Sequence, residues 1–136
     1  MPSIGHIYIL TNPRVHGVVK IGRTNDLVRR VAELNAHAGI AGRWVVAGHV
    51  VADDIEQLEY AVHDFLRQVR DAESGGTEMF LCTPEEAGVA VLRVAAERSI
   101  KIYEDILPRM TQADIEKKEH ARGLERFLVQ RGLIEK

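Results

Sequence analysis

The sequence predicts a mixed α/β (α+β) domain: a small central three-stranded antiparallel sheet flanked by helices, with an added C-terminal helix. Three observations carry this expectation. Two short β-rich runs near the N-terminus are separated by turn residues, later stretches repeat apolar residues at helical spacing, and the composition shifts after residue 98. The chain accordingly divides into a domain over residues 1–98 and a helical extension over 99–136.

His6 to Leu10 (HIYIL) and Val18 to Ile21 (VVKI) are strands, and the TNPRVHG segment between them makes the pair a hairpin. Asn25 or Asp26 caps a helix that runs to about His37 and is ended by the Gly39 and Gly42 region. Leu27, Val31 and Leu34 form its apolar face. Trp44 to Ala52 is the third strand, long and β-branched, with Gly48 marking a bulge. Asp53 and Glu56 have the spacing of a capping box before a second helix that carries Ile55, Leu58, Val62, Phe65, Leu66 and Val69 on one stripe. After the loop DAESGGTE, the short apolar run Met79 to Cys82 either closes the sheet or docks on it. Thr83, Pro84 and Glu86 then start a helix that reaches about Arg98. Thr111 and Asp114 open a last, highly charged helix that Gly132 stops. Phe127, Leu128 and Leu133 near its end suit contact with a second copy of the chain, a homodimer.

A length of 136 residues, 46% hydrophobic and 28% charged, is that of one ordinary globular domain. The single cysteine, Cys82, excludes an intramolecular disulfide and a cysteine-based zinc site, and fits a reducing compartment. The opening MPSIGHIYIL lacks a basic n-region, and nowhere do about 18 apolar residues run together. A cytoplasmic location without membrane contact is therefore expected. The net charge of −2 conceals an asymmetry: residues 1–50 hold six basic and two acidic residues, the remainder 12 and 18. A basic face built from the first half would attract phosphate.

Several reactive side chains fall at telling positions. Tyr8 and Lys20 lie on the paired strands, where both can share one sheet face. Arg30, three after Leu27 and four before Leu34, turns inward on the first helix. Glu59, four after Ile55, sits at the edge of the buried stripe of the second helix, one turn before His63. Simpler roles exist for each: a strand aromatic for Tyr8, an edge position for Lys20, a structural salt bridge between Arg30 and Glu59, a surface site for His63. His6, His16, His37 and His49 read as surface histidines, because no pair among them has zinc-ligand spacing on one helix. No Ser/His/Asp, Walker or dinucleotide motif is present.

Taken together, GHIYILTNPRVHGVVKIGRTNDLVRRVAELN resembles the opening of the GIY-YIG nuclease superfamily. It is closest to the branch of the bacteriophage T-five type DNA-binding domain and the meiotically up-regulated gene 113 type, in which the second signature commonly reads KIG, as Lys20, Ile21 and Gly22 do here. LEYAVHDFL resembles that branch's glutamate helix, and Glu78, Met79 and Phe80 its closing Glu-aromatic signature. The resemblance covers about residues 5 to 95 and implies a GIY-YIG-like fold. Tyr8 matches the tyrosine of the first signature, Lys20 replaces the second tyrosine, and Gly22 is the glycine that lets the chain turn into the helix. Arg30 matches the catalytic arginine and Glu59 the metal-binding carboxylate. His63 and Glu78 are features of the branch, and Arg23, Arg29 and Glu78 fall where nucleic acid is contacted. His6 intervenes between Gly5 and Ile7, a departure from the signature.

The resemblance implies a metal-dependent DNA endonuclease acting on double- or single-stranded DNA. In this reading Glu59 holds one Mg²⁺ (or Mn²⁺), which keeps much of its hydration, and Arg30 grips the scissile phosphate as a planar donor. Water is activated by Tyr8 with Lys20 as its neighbouring cation, or by Lys20 itself. His63 orients Glu59, relays a proton or touches DNA. The alternative is a non-catalytic DNA-binding or regulatory module on the same scaffold, and a third class is an assembly protein that uses the C-terminal helix.

Overall fold

The computed structural model describes residues 4–36, 43–71 and 78–109. Their elements are β1 (Gly5–Asn12), β2 (Val15–Thr24), α1 (Leu27–Ala36), β3 (Val45–Ala52), α2 (Ile55–Phe65), β4 (Met79–Phe80), α3 (Pro84–Glu97) and β5 (Ile102–Ile106). The strands form one antiparallel sheet in the order β4-β2-β1-β3-β5.

The expected hairpin is present but longer than its apolar runs, because its strands extend through polar residues to a two-residue turn at Pro13 and Arg14. There the Arg14 amide donates to the Asn12 side chain at 3.0 Å. Period-two alternation then sorts the side chains. Ile7 and Ile9 of β1, Val19 and Ile21 of β2, and Val50 and Ala52 of β3 form one core with Leu58 and Val62 of α2 and Val91 and Val94 of α3. Tyr8 and Leu10, fully buried, belong to the other face together with Lys20 and Gly22, their partners in register.

Helix α1 belongs to that second face. It has no fully buried residue, and Leu27, Arg30, Val31 and Leu34 are its half-buried row, as their spacing predicts. Polar contacts fix its ends. The Asp26 carboxylate accepts from the Arg29 amide at 3.1 Å, the expected N-cap. The Asn35 amide clamps the Trp44 backbone, accepting from its N–H at 2.7 Å and donating to its carbonyl at 3.1 Å.

The sheet has five strands, not three. Met79 and Phe80 close one edge by pairing with β2, and the segment from Val69 to Asp71 covers their outer side. At the other edge β5 pairs with β3, although its residues fall in the stretch expected to be helical. IYEDI carries two adjacent acids and is exposed or half-buried throughout, so its alternation is that of a charged edge strand rather than an apolar one. The bulge beside Gly48 is found where predicted, between the Ile9↔Gly48 and Leu10↔Val46 pairs. A Cβ on Gly48 would meet the Ile106 carbonyl at 2.7 Å, so the chain leaving β5 is what demands glycine there.

Two helix boundaries also differ from expectation. The Asp53 and Glu56 capping box does not form: Asp54 occupies the cap in a left-handed conformation (φ 49°) with no side-chain cap bond. Asp53 instead accepts the Tyr103 hydroxyl of β5 at 3.1 Å. Helix α2 ends at Phe65 and continues as a 3₁₀ turn, Arg67–Val69, so Val69 leaves the stripe. At α3 the Thr83 and Glu86 capping box forms in both directions, at 3.1 and 3.2 Å. The helix expected over residues 111–131 and the proposed dimer contact lie outside the described residues.

Candidate active site

Strand register builds the floor of the site. Tyr8 opposes Gly22, and Leu10 opposes Lys20, so Tyr8 and Lys20 do share a face. The phenol of Tyr8 lies across Gly22: a Cβ there would stand 2.3 Å from the phenolic oxygen and 2.5 Å from Cζ. Gly22 is thus required for room beneath the ring, not for the turn into α1, since β2 continues through Thr24.

Two charged side chains act directly on the phenol, and a third holds one of them. Arg30 approaches from α1, close enough for its charge to act on the phenol. The hydroxyl donates to Glu78 Oε2 at 3.5 Å, and the same oxygen takes Lys20 Nζ at 3.3 Å. Glu78 is held just before β4, where its carbonyl accepts the Ile21 amide at 2.9 Å. Lys20 also lies over the Trp44 ring, 5.9 Å from its centroid. Burial raises the pKa of Tyr8 above the ordinary tyrosine value, Arg30 opposes that shift, and the charge of Glu78 adds to it. The cation on the phenol is therefore Arg30, whereas Lys20 is committed to Glu78.

Glu59 approaches from α2. Its side chain is 20% exposed, and Arg23 Nε lies 3.5 Å from its carboxylate. Burial pushes the Glu59 carboxyl above the ordinary range and Glu78 adds to the shift, against the attraction of His63 and Arg23. Its charge reaches Tyr8 as well. Arg30 and Glu59 are not an ion pair: Arg30 pairs with Glu33 at 3.6 Å. His63, one turn along α2, places Nε2 at 2.8 Å from the Ile21 carbonyl. A carbonyl accepts only, so Nε2 carries the proton of this contact. The ring also packs on Phe80, with centroids 5.0 Å apart.

Of the expected nucleic-acid contacts, Glu78 lies inside the cluster, bonded to Tyr8 and Lys20. Arg23 bridges Glu56 and Glu59. Arg29 is exposed and pairs with Glu33. Asn35 and Trp44, which frame the Lys20 side, were not singled out by sequence, for neither carries a chemical signature until the strand after α1 is placed. Among the described residues no group of three or more His, Cys, Asp or Glu side chains is disposed to hold a metal ion. None of the described helices is long and apolar enough to cross a membrane.

The T5orf172 domain profile matches residues 5–95. The chain belongs to the T5orf172 domain family. The matched span is the stretch that carries the sequence signatures, and within the T5orf172 domain it holds every side chain of the cluster around Tyr8. It ends before β5, which adds an edge strand outside the match. No curated protein and no solved structure matches the chain.

Proposed function

We propose that this T5orf172 domain is a metal-dependent DNA endonuclease of the GIY-YIG type. Family membership supports a nuclease or DNA-binding role. The observation that carries the catalytic reading is one buried phenol bonded to Glu78, with the Arg30 guanidinium and the half-buried Glu59 carboxylate, from two different helices, near enough for their charges to act on it.

The donor set suits a hard cation. Mg²⁺ is commonly held through one or two carboxylates while keeping several waters, and Glu59 offers one carboxylate whose charge the fold leaves underfavoured. Glu59 would hold Mg²⁺ or Mn²⁺, which when bound neutralises charge on the phosphate. Arg30, its side chain 37% exposed, presents its planar donors to the non-bridging oxygens. Tyr8 takes a proton from water as its own phenolic proton passes to Glu78 Oε2, so the phenol is neutral before and after the transfer. Lys20 steadies Glu78 for that exchange. His63 is a positioning residue that ties α2 to β2 beside Gly22.

The test is cleavage of single- and double-stranded DNA by the purified protein with Mg²⁺, Mn²⁺ or EDTA, with Glu59→Ala alongside. Cutting that requires metal and disappears in Glu59→Ala is the expected result. Absence of cutting on every substrate, with salt-sensitive DNA binding retained, would overturn the catalytic reading in favour of a binding module.

A further inference from the structure

His6 and His49 are far apart in sequence and sit on neighbouring strands. Register places His6 opposite Val51 and His49 opposite Tyr8, so the two rings are diagonal neighbours on one face of the sheet. Both are half-buried. Their Nδ1 atoms are 3.2 Å apart, with ring centroids at 5.2 Å and planes inclined by 49°. We propose that these two nitrogens form a second cation site, for a borderline transition-metal ion such as Zn²⁺, separate from Glu59.

The spacing supports this assignment. Zinc–imidazole bonds of about 2.0–2.1 Å set at the tetrahedral angle separate two donor nitrogens by about 3.3 Å. The strands thus hold the pair at ligand distance before any ion arrives. Charge supports it too. Asp26, at the start of α1, and Glu104, in the cross-strand row of His6 and Val51, both act on His6 as anions.

Donor type separates the two cations. Mg²⁺ demands oxygen ligands in near-octahedral geometry, whereas imidazole pairs favour Zn²⁺, Ni²⁺ or Cu²⁺. In the metal-free pair one Nδ1 carries a proton and donates it to the other; on loading, that proton moves to Nε2 of the same ring and both Nδ1 lone pairs go to the ion. Two protein donors leave the remaining positions to water, so this is an open, exchangeable site.

The proposal is independent of the nuclease reading, and its test reads binding alone. Tag-free protein is titrated with Zn²⁺ by calorimetry and with Co²⁺ by visible absorption, in the presence of excess Mg²⁺. Wild type, His6→Ala, His49→Ala and Glu59→Gln are compared, each checked for folding by circular dichroism. Saturable binding with the intense bands of tetrahedral Co²⁺ is expected. It should weaken by more than about tenfold in each histidine variant, the loss that changes outside the ligand set already reach at metal sites, and persist in Glu59→Gln. Absence of saturable binding, or binding retained in both histidine variants, would overturn the proposal. Should either variant fail to fold, wild-type NMR decides: the His6 and His49 ring resonances must shift together as Zn²⁺ is added, and shifts confined to other histidines refute the site.

Discussion

Replacing Gly22 by alanine tests the packing of the site most directly. The new Cβ would lie 2.3 Å from the phenolic oxygen of Tyr8, 2.5 Å from Cζ and 3.0 Å from Cε1, where ordinary contact begins at 3.4 Å. Something must therefore move by about 1 Å in a densely packed interior. The ring has little freedom to do so, since Tyr8 is fully buried and its hydroxyl is held between Arg30 and Glu78. Overpacking of this kind costs about 1–3 kcal/mol, and misplacing a reacting group by about 1 Å costs cleavage on the order of 10²-fold. Urea unfolding and cleavage rates are measured for Gly22→Ala, Tyr8→Leu and the double variant. Leucine has no atom at the position of Cζ or the hydroxyl, so the stability cost of Gly22→Ala should fall by more than half when Tyr8 is already leucine. An equal cost in both backgrounds would refute the argument, because the glycine would then serve the backbone and not the ring.

Arg30→Ala is expected to abolish cleavage while the far-ultraviolet dichroism stays that of wild type, and Arg30→Lys should not restore full activity because a point charge lacks the planar fork; an active Arg30→Ala variant removes this residue from the mechanism. The raised pKa of Glu59 means its neutral form is favoured on folding, so its contribution to stability is fully present below the unfolded-state carboxylate value and is lost as pH rises through the folded-state value. Metal-free Glu59→Gln should thus be at least as stable as wild type at pH 7, with the difference vanishing at acid pH, as read from urea midpoints; a less stable variant at neutral pH would contradict this. Thr83→Ala removes the α3 capping box and should lower stability by about 1 kcal/mol in the same assay, leaving DNA cleavage unchanged.

The parts of the fold legible in sequence were those with local physical causes. The hairpin follows from two β-rich runs about a turn, the start of α1 from the Asp26 cap, and α3 from its Thr-Pro-Glu opening. For β4 the sequence left two outcomes open, closing the sheet or docking on it, because two residues carry no periodicity and are a strand only by pairing with β2. β5 escaped because its acids suit an edge, and the capping box at Asp53 failed because Tyr103, fifty residues later, claims that carboxylate. In the site, alternation and helical spacing placed Tyr8, Lys20, Arg30 and Glu59. Which cation meets which anion was not legible: Arg30 rather than Lys20 faces the phenol, and Arg23 rather than Arg30 faces Glu59. Such choices are made by tertiary distances of a few ångströms, below what spacing resolves. The histidine pair is a cross-strand diagonal, which a search for ligands along a single helix passes over.

The close seat of Tyr8 on Gly22 belongs to a single hairpin, whereas Glu59 and Glu78 arrive from the middle of the chain. Contacts local in sequence close quickly, and those separated by long loops close late and open first. The phenol and its glycine are therefore expected to assemble before the carboxylates reach them. A partial opening that lifts α2 away from β2 would remove Glu59 while leaving that pair standing. Hydrogen exchange should accordingly protect the amides of β1 and β2 longer than those of α2, and the order of protection would be the order in which the site is taken apart.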